Sequence, residues 1–169
     1  MTIIVADCGG MAADTHSYRG DMREPCGFPK IVRNRHNGAL GAATGCADDC
    51  WRFNRWFMDT QDIFGPQPEY SAKQDDLHGA LVLMADGSLF VCWDGKGFAP
   101  VSSPCAIGHG KAIAFCRGAM AMGASIEHAV ALAIRECLFA GGNVQFERVA
   151  CDAACLVHPR IEREPALAA

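Results

Sequence analysis

The stretch that decides the fold is TIIVADCGGMAAD, residues 2–14. Its first five residues are mostly β-branched and apolar, which is typical of a strand buried on both faces. The Cys-Gly-Gly sequence at 8–10 predicts a turn, and residues 11–14 then read as the returning strand. The chain is therefore expected to begin with a buried β-hairpin.

Downstream of this hairpin, a polar connection leads into further strands and helices. The Asp86-Gly87 pair between two apolar runs predicts a second hairpin. Ser125 is expected to cap the last helix and Gly141-Gly142 to end it, whereas residues 60–78 are expected to form a loop or a broken helix. The predicted strands cover 30–32, 39–43, 80–84, 89–93, a short run ending near 101 and a last run at 144–146. The predicted helices cover 47–58, about 111–122, and a segment that begins at 126.

Length and element order together favour one α+β domain. The chain has 169 residues, half of them hydrophobic, which is enough for one substantial core. Strands and helices come in separate runs, so a layered α+β fold is favoured over a parallel βαβ fold. We expect two strand groups and two helix groups to stack as helix–sheet–sheet–helix, with a loose tail from about Pro159.

Composition excludes several classes of function. The net charge is −4 and the basic residues are dispersed, so the chain is a poor candidate for nucleic-acid binding. No run reaches the roughly 18 apolar residues of a membrane span, and the N-terminus does not read as a signal peptide, so a cytoplasmic location is expected. Most of the ten cysteines lie in apolar runs, and we interpret them as reduced core thiols.

Thr2 directly follows the initiator methionine, and this position has a chemical consequence. Threonine is small enough that the methionine before it is usually removed, which would make Thr2 the true N-terminus. Its hydroxyl and a free α-amine, whose ordinary pKa is near 8, would then belong to one residue. A threonine activated by its own amine is a recognised nucleophile. By position alone, Thr2 is better explained as the plain first residue of a strand.

Three later features accompany Thr2 in a fixed order. Asp14 ends the second strand, Lys30 follows sixteen residues later, and a segment containing Gly45 opens the first helix as Ala-Thr-Gly-Cys-Ala-Asp. In these features the chain resembles the proteasome β-type family, most closely its short bacterial member, the HslV peptidase. Residues 85–91, 106–110 and 118–134 resemble the family's later hairpin, its Gly-Ser-Gly turn before a helix, and its antiparallel helix pair. The resemblance covers residues 2 to about 149, with the 60–78 loop as a gap.

The resemblance implies a four-layer αββα sandwich of the N-terminal-nucleophile hydrolase type, with a site carried over residue by residue. Thr2 would be the nucleophile and its amine the general base. Lys30 would favour the alkoxide and lower the pKa of the amine, and Asp14 would hold Lys30. The Gly45 N–H would stabilise the oxyanion. The resemblance implies no cofactor and no metal.

The chain also departs from the family pattern. Its first hairpin is about four residues shorter than usual, and His109 replaces the serine between two glycines. A histidine there would hydrogen-bond the N-terminal amine, shift its pKa, or close the site. The family's later aspartate has no clear match, since Glu136 and Cys137 fall nearest. The alternative function is therefore a catalytically inactive protein of the same fold that acts as a structural or assembly shell.

The partners expected from the resemblance are other copies of the chain and a protein-unfolding ATPase. Such subunits form stacked rings that enclose their sites, with hexameric rings favoured at this length, and an AAA+ unfoldase feeds in unfolded polypeptide. A metal-binding module is a further alternative, because Cys46, Cys50, Cys151 and Cys155 form two pairs with zinc-like spacing and His158 lies near the second. Cys8 is rejected as a rival nucleophile, since cutting before it would destroy the first strand.

Overall fold

A computed structural model of the protein describes residues 2–19, 22–70 and 79–149. Helices and antiparallel strands alternate in blocks along these residues. The strands are β1 (Ile3–Ala6), β2 (Gly10–Asp14), β3 (His16–Arg19), β4 (Met22–Pro25), β5 (Ile31–Arg33), β6 (Leu40–Thr44), β7 (Gly79–Leu83), β8 (Leu89–Trp93), β9 (Phe98–Val101), β10 (Cys105–Gly108) and β11 (Val144–Arg148). The helices are α1 (Ala47–Asp59), α2 (Gly110–Ala121) and α3 (Ile126–Glu136).

Two antiparallel sheets and one separate hairpin account for these strands. One sheet has the order β10-β1-β2-β11, and the other has the order β5-β6-β7-β8-β9. The hairpin joins β3 to β4. The opening hairpin thus lies at the centre of the four-stranded sheet, where β1 pairs with β2 on one side and with β10 on the other.

The first strand is buried on both faces, which confirms the prediction made from its composition. Ile3 and Val5 belong to an apolar cluster that contains residues of α2 and α3. Ile4 and Ala6 belong to a second cluster, which residues of the five-stranded sheet share. Because side chains alternate across a strand, one short segment contacts the helices on one face and the other sheet on the opposite face.

Helix α1 packs on the five-stranded sheet through its aromatic residues. Phe53 and Phe57 are fully buried in a cluster with residues of β5, β6, β7 and β8. Their rings stack with centroids 5.5 Å apart. A Cβ at Gly41 on β6 would lie 2.7 Å from the ring of Phe57, so only glycine allows the helix to approach this closely. The helix predicted over 47–58 is confirmed.

Three sequence-based assignments are wrong. The polar connection after residue 14 contains the hairpin β3–β4, and residues 105–108 form strand β10 rather than a turn. His109 follows this strand directly as the N-cap residue of α2. The last helix ends at Glu136 rather than at Gly141-Gly142, because Cys137 adopts an extended backbone, and Leu138 is 74% exposed.

The remaining expectations on local structure hold within the described residues. Ser125 caps α3 by accepting a hydrogen bond from His128 N, and Gly123 beyond α2 has a positive φ. Residues 61–70 contain neither helix nor strand. The rest of the expected loop and the expected loose tail lie outside the described residues. None of the described helices is long and apolar enough to cross a membrane.

Replacing Phe57 by alanine tests the packing of α1. We expect a loss of about 3–5 kcal/mol in the free energy of unfolding, because the change empties a fully buried aromatic site. Phe64→Ala is the matched control, since Phe64 is 53% exposed, and it should cost less than about 2 kcal/mol. Urea unfolding measures both values. Equal losses would contradict the described packing.

Candidate active site

Thr2 is held at the start of β1 by the backbone of the strand beside it. Its carbonyl oxygen accepts a hydrogen bond from His109 N at 2.9 Å. Gly108 has a φ of 126°, and a Cβ there would lie 2.1 Å from Thr2 O. Glycine is therefore required for both the backbone conformation and the close approach. The side chain of Thr2 is 7% exposed.

Asp14 is fully buried at the end of β2, and both of its carboxylate oxygens have partners. Oδ1 accepts hydrogen bonds from Thr2 Oγ1 at 2.7 Å and from Ile3 N at 3.1 Å. Oδ2 accepts one from Gly141 N at 3.1 Å. These bonds fix the orientation of the carboxylate beside the threonine hydroxyl.

Lys30 brings a buried positive charge to the same point. Its Nζ lies 2.6 Å from Asp14 Oδ1 and donates hydrogen bonds to Thr2 Oγ1 and to the backbone oxygen of His16. An ammonium has three N–H donors, so each has an acceptor here. Lys30 is 7% exposed, and a charge this buried is tolerated because it is paired and fully hydrogen-bonded.

The three residues meet although they come from different parts of the fold. Thr2 precedes β1 and Asp14 ends β2, both in the four-stranded sheet, whereas Lys30 directly precedes β5 in the five-stranded sheet. The ammonium and the threonine oxygen are in direct contact, so a negative charge developing on that oxygen would be stabilised. The arrangement suits an activated hydroxyl nucleophile.

Gly45 lies in the cleft that opens onto Thr2. It joins β6 to α1 with a φ of 127°, a conformation that L side chains rarely adopt. The cleft is lined by Thr2, Ser17, Tyr18, Cys26, Phe28, Lys30, Ala43, Thr44, Gly45, Ala47, Cys50 and Asn54. Thr2, Lys30 and Gly45 therefore line one cavity.

His109 reaches the site through its backbone, while its ring lies against α2. The ring nitrogen Nδ1 accepts a hydrogen bond from Lys111 N at 3.3 Å, which caps the helix. The ring also stacks on Phe139 with centroids 3.8 Å apart. Partial burial, and next the positive charge of Lys111, lower the pKa of His109 below its ordinary value. The shift favours the neutral form of the ring.

The two residues that fall nearest in sequence to the family's later aspartate, Glu136 and Cys137, do not contact Thr2 in the described hydrogen bonds. Glu136 is exposed, and one of its carboxylate oxygens lies 2.5 Å from Arg135 Nε. Cys137 packs against the apolar cluster beneath α2 and α3. Neither contact involves Thr2, and the partner that Asp14 has in this region is instead the backbone of Gly141.

Sequence reasoning missed three residues that support the site. Gly141 was interpreted only as the end of a helix, yet its N–H binds Asp14. Gln145 accepts a hydrogen bond from Lys30 N at 2.9 Å, and Asn54 Nδ2 donates one to Pro29 O at 2.9 Å. The Gly141-Gly142 pair marks this position in the sequence as a break in regular structure, but it does not indicate the bond to Asp14. Gln145 and Asn54 act across long sequence separations that no local pattern reveals.

The cysteines near the cleft have the properties of core thiols. Burial raises the pKa of Cys50 to about 12, although the nearby Lys30 charge acts in the opposite direction. Cys50 is therefore a protonated thiol at neutral pH. Within residues 2–19, 22–70 and 79–149, no group of three His, Cys, Asp or Glu side chains is arranged to hold a metal ion. Cys151, Cys155 and His158 lie outside those ranges.

Comparison with known proteins gives matches among solved structures. No protein-family model matches the sequence, and no curated protein matches it. Thiobacillus denitrificans BPH, a bacterial proteasome homologue, superimposes with a TM-score of 0.61 at 19% identity, over 89% of this chain and 99% of that one. The chain has a proteasome-like fold. The same protein in complex with epoxomicin matches at 0.61 and 16% identity, over 88% and 98% of the two chains. This proteasome-like similarity does not single out HslV.

The buried ion pair of this proteasome-like chain can be tested by a double substitution. Asp14→Ala should lower the free energy of unfolding by about 3–5 kcal/mol, because it leaves the Lys30 ammonium buried without a carboxylate. Adding Lys30→Met removes that stranded charge and should recover part of the loss. Urea unfolding at neutral pH measures both.

An exposed ion pair provides the control. Arg35 and Asp59 lie 2.5 Å apart with both side chains more than half exposed, so Asp59→Ala should cost at most about 1 kcal/mol. Losses for Asp14→Ala and Lys30→Met that simply add in the double variant would contradict a coupled buried pair.

Proposed function

We propose that the protein is a threonine-type peptidase subunit that cleaves peptide bonds through Thr2 once Met1 has been removed. The observation that carries this proposal is the contact of the buried Lys30 ammonium with both Thr2 Oγ1 and Asp14 Oδ1. A lysine that served only to neutralise a buried aspartate would not need the threonine hydroxyl. Here the hydroxyl donates to Asp14 and accepts from Lys30, so both of its neighbours are charged.

In the proposed reaction, the free α-amine of Thr2 accepts the hydroxyl proton as Oγ1 attacks the peptide carbonyl carbon. The carbonyl oxygen becomes an oxyanion, and the N–H of Gly45 stabilises it from the wall of the cleft. Collapse of this intermediate breaks the C–N bond. The leaving amine takes the proton from the Thr2 ammonium, and an ester of Thr2 remains, which water then hydrolyses by the same route in reverse.

Lys30 and Asp14 have separate roles in this scheme. The ammonium stabilises negative charge on Thr2 Oγ1 and lowers the pKa of the nearby α-amine, so that the amine is a free base at neutral pH. Asp14 keeps the ammonium in place, and Gly141 N and Ile3 N fix its carboxylate. No metal or cofactor takes part in the proposed steps.

His109 is proposed to contribute in place of the family's serine. Its backbone N–H binds Thr2 O, and its lowered pKa favours the neutral ring, which adds no positive charge beside the amine. Because Nδ1 already accepts from Lys111 N, the neutral ring carries its proton on Nε2, which can donate one hydrogen bond to the free amine or to a water molecule.

The proposal also covers the detailed fold class and the oligomeric assembly. We propose the four-layer αββα sandwich of the N-terminal-nucleophile hydrolases, which is supported by the three apolar clusters between α2 and α3, the two sheets and α1. By the resemblance of the sequence to HslV, the subunits would form stacked hexameric rings in the cytoplasm, served by an AAA+ unfoldase that delivers unfolded polypeptide.

A second candidate function is a catalytically inactive shell of the same fold. The observation that favours it is the position of the His109 ring, which caps α2 and stacks on Phe139 instead of hydrogen-bonding Thr2. Such a protein would assemble normally but would not turn over peptides. Activity measurements on variants of the cleft separate the two functions.

Thr2→Ala tests the proposed nucleophile. Alanine is also small enough for removal of Met1, so the variant loses only the hydroxyl, and hydrolysis of an unfolded, alkylated protein substrate should disappear. Lys30→Met should reduce kcat/KM by at least about a hundredfold, because it removes the charge that stabilises the alkoxide. Release of new α-amines measures both.

Thr44→Ala is the matched control, since Thr44 lines the same cleft without contacting Lys30 in the hydrogen-bond network described above. Its turnover should stay within a few fold of the unaltered protein. Undiminished turnover by Thr2→Ala would overturn the mechanism. A folded but wholly inactive unaltered protein with Met1 removed would favour the shell.

A further inference from the structure

Gln145 joins the two sheets directly at the proposed catalytic lysine. Its Oε1 accepts hydrogen bonds from Lys30 N at 2.9 Å and from Ile31 N at 3.1 Å. Its Nε2 donates one to Ile31 O at 2.8 Å. One side chain on β11 therefore makes three hydrogen bonds to two consecutive residues at the start of β5.

These bonds link Asp14, Gln145 and Lys30 in a ring of contacts around the site. β11 pairs with β2 so that Val144 lies opposite Asp14 and Gln145 lies opposite Ala13. Gln145 then holds the backbone of Lys30, and the ammonium of Lys30 returns to Asp14. The distance between the backbone of Lys30 and the carboxylate of Asp14 is thus set twice, once through the lysine side chain and once through β11.

We propose that Gln145 is a positioning residue that holds the Lys30 ammonium against Thr2 and Asp14. Gln145 acts through the backbone of Lys30. A lysine side chain has four rotatable bonds, so its ammonium stays in one place only if the backbone is fixed as well. The assignment of a catalytic purpose to this positioning rests on the proposed function. The positioning itself is a property of the folded chain and can be measured without turnover.

The chemistry of the contact explains why glutamine suits this position. The backbone offers two N–H donors and one carbonyl acceptor, and a side-chain amide supplies an acceptor oxygen and a donor nitrogen together. A glutamate would still accept from Lys30 N and Ile31 N, but its second oxygen would face the oxygen of Ile31. A methionine of similar length would make none of the three bonds.

Glu147 provides a matched control on the same strand. It lies two residues after Gln145, so both side chains point to the same face of the strand. Its carboxylate pairs with Arg33 on β5 at 3.4 Å, and both partners are about two-fifths exposed. Glu147→Gln therefore weakens a contact between the same two strands without touching the backbone of Lys30.

The experiment follows exchange of the Lys30 ammonium protons with water by NMR of protein labelled with ¹⁵N at its lysines. The chain has four lysines, and loss of one signal in Lys30→Met assigns the signal of interest. We expect a slowly exchanging Lys30 signal in the unaltered protein, since all three donors are bonded. The exchange rate should rise at least about tenfold in Gln145→Met and by a smaller factor in Gln145→Glu. In Glu147→Gln it should stay within twofold of the rate in the unaltered protein.

Kinetics adds the second readout. In Gln145→Met, kcat should fall at least about tenfold while KM stays within twofold, because the ammonium acts on the reacting oxygen and not on substrate binding. Should Gln145→Met fail to fold, Gln145→Glu still tests the proposal through its smaller acceleration of exchange. Exchange that is unchanged in the Gln145 variants, or equally faster in Glu147→Gln, would overturn the proposal. If the unaltered protein has no turnover, the proposed function fails, yet the exchange rates still decide the role of Gln145.

Discussion

The buried ammonium of Lys30 is the interaction on which the rest of the site depends. A charge that is 7% exposed is stable only when opposite charge and hydrogen-bond acceptors surround it. Asp14, the hydroxyl of Thr2 and the backbone of His16 supply those partners. The three come from the start of β1, the end of β2 and the start of β3, so the ammonium requires that the opening hairpin and the chain before β5 meet correctly.

The packing of the fold brings these segments together. β1 divides its side chains between the cluster with α2 and α3 and the cluster shared with the five-stranded sheet, which fixes its depth in the molecule. Gly108 lets β10 approach Thr2, and Gly41 lets α1 approach β6, whose end leads to Gly45. The cleft thus lies where the two sheets and the start of α1 meet, and its walls are set by core packing.

Features of the fold that depend on neighbouring residues could be predicted from the sequence. The β-branched run at 2–6, the glycine turn and the return to Asp14 predicted the central hairpin. The pairing of Asp14 with Lys30 was implied only by the resemblance to the proteasome β-type family. The strand β10 was missed because Cys105–Gly108 is short and directly precedes a helix, so it was interpreted as a turn. The support from Gln145 could not be predicted, since it joins residues 115 positions apart through one side chain.

The most direct test of the central claim is the intact mass of freshly purified protein before and after exposure to a β-lactone or epoxyketone that reacts with N-terminal threonine. We predict loss of Met1 and then one covalent adduct, mapped to Thr2, because the free amine and hydroxyl of that residue would lie beside Lys30. A chain that has lost Met1, is folded, and never forms an adduct would contradict the claim that Thr2 is a working nucleophile.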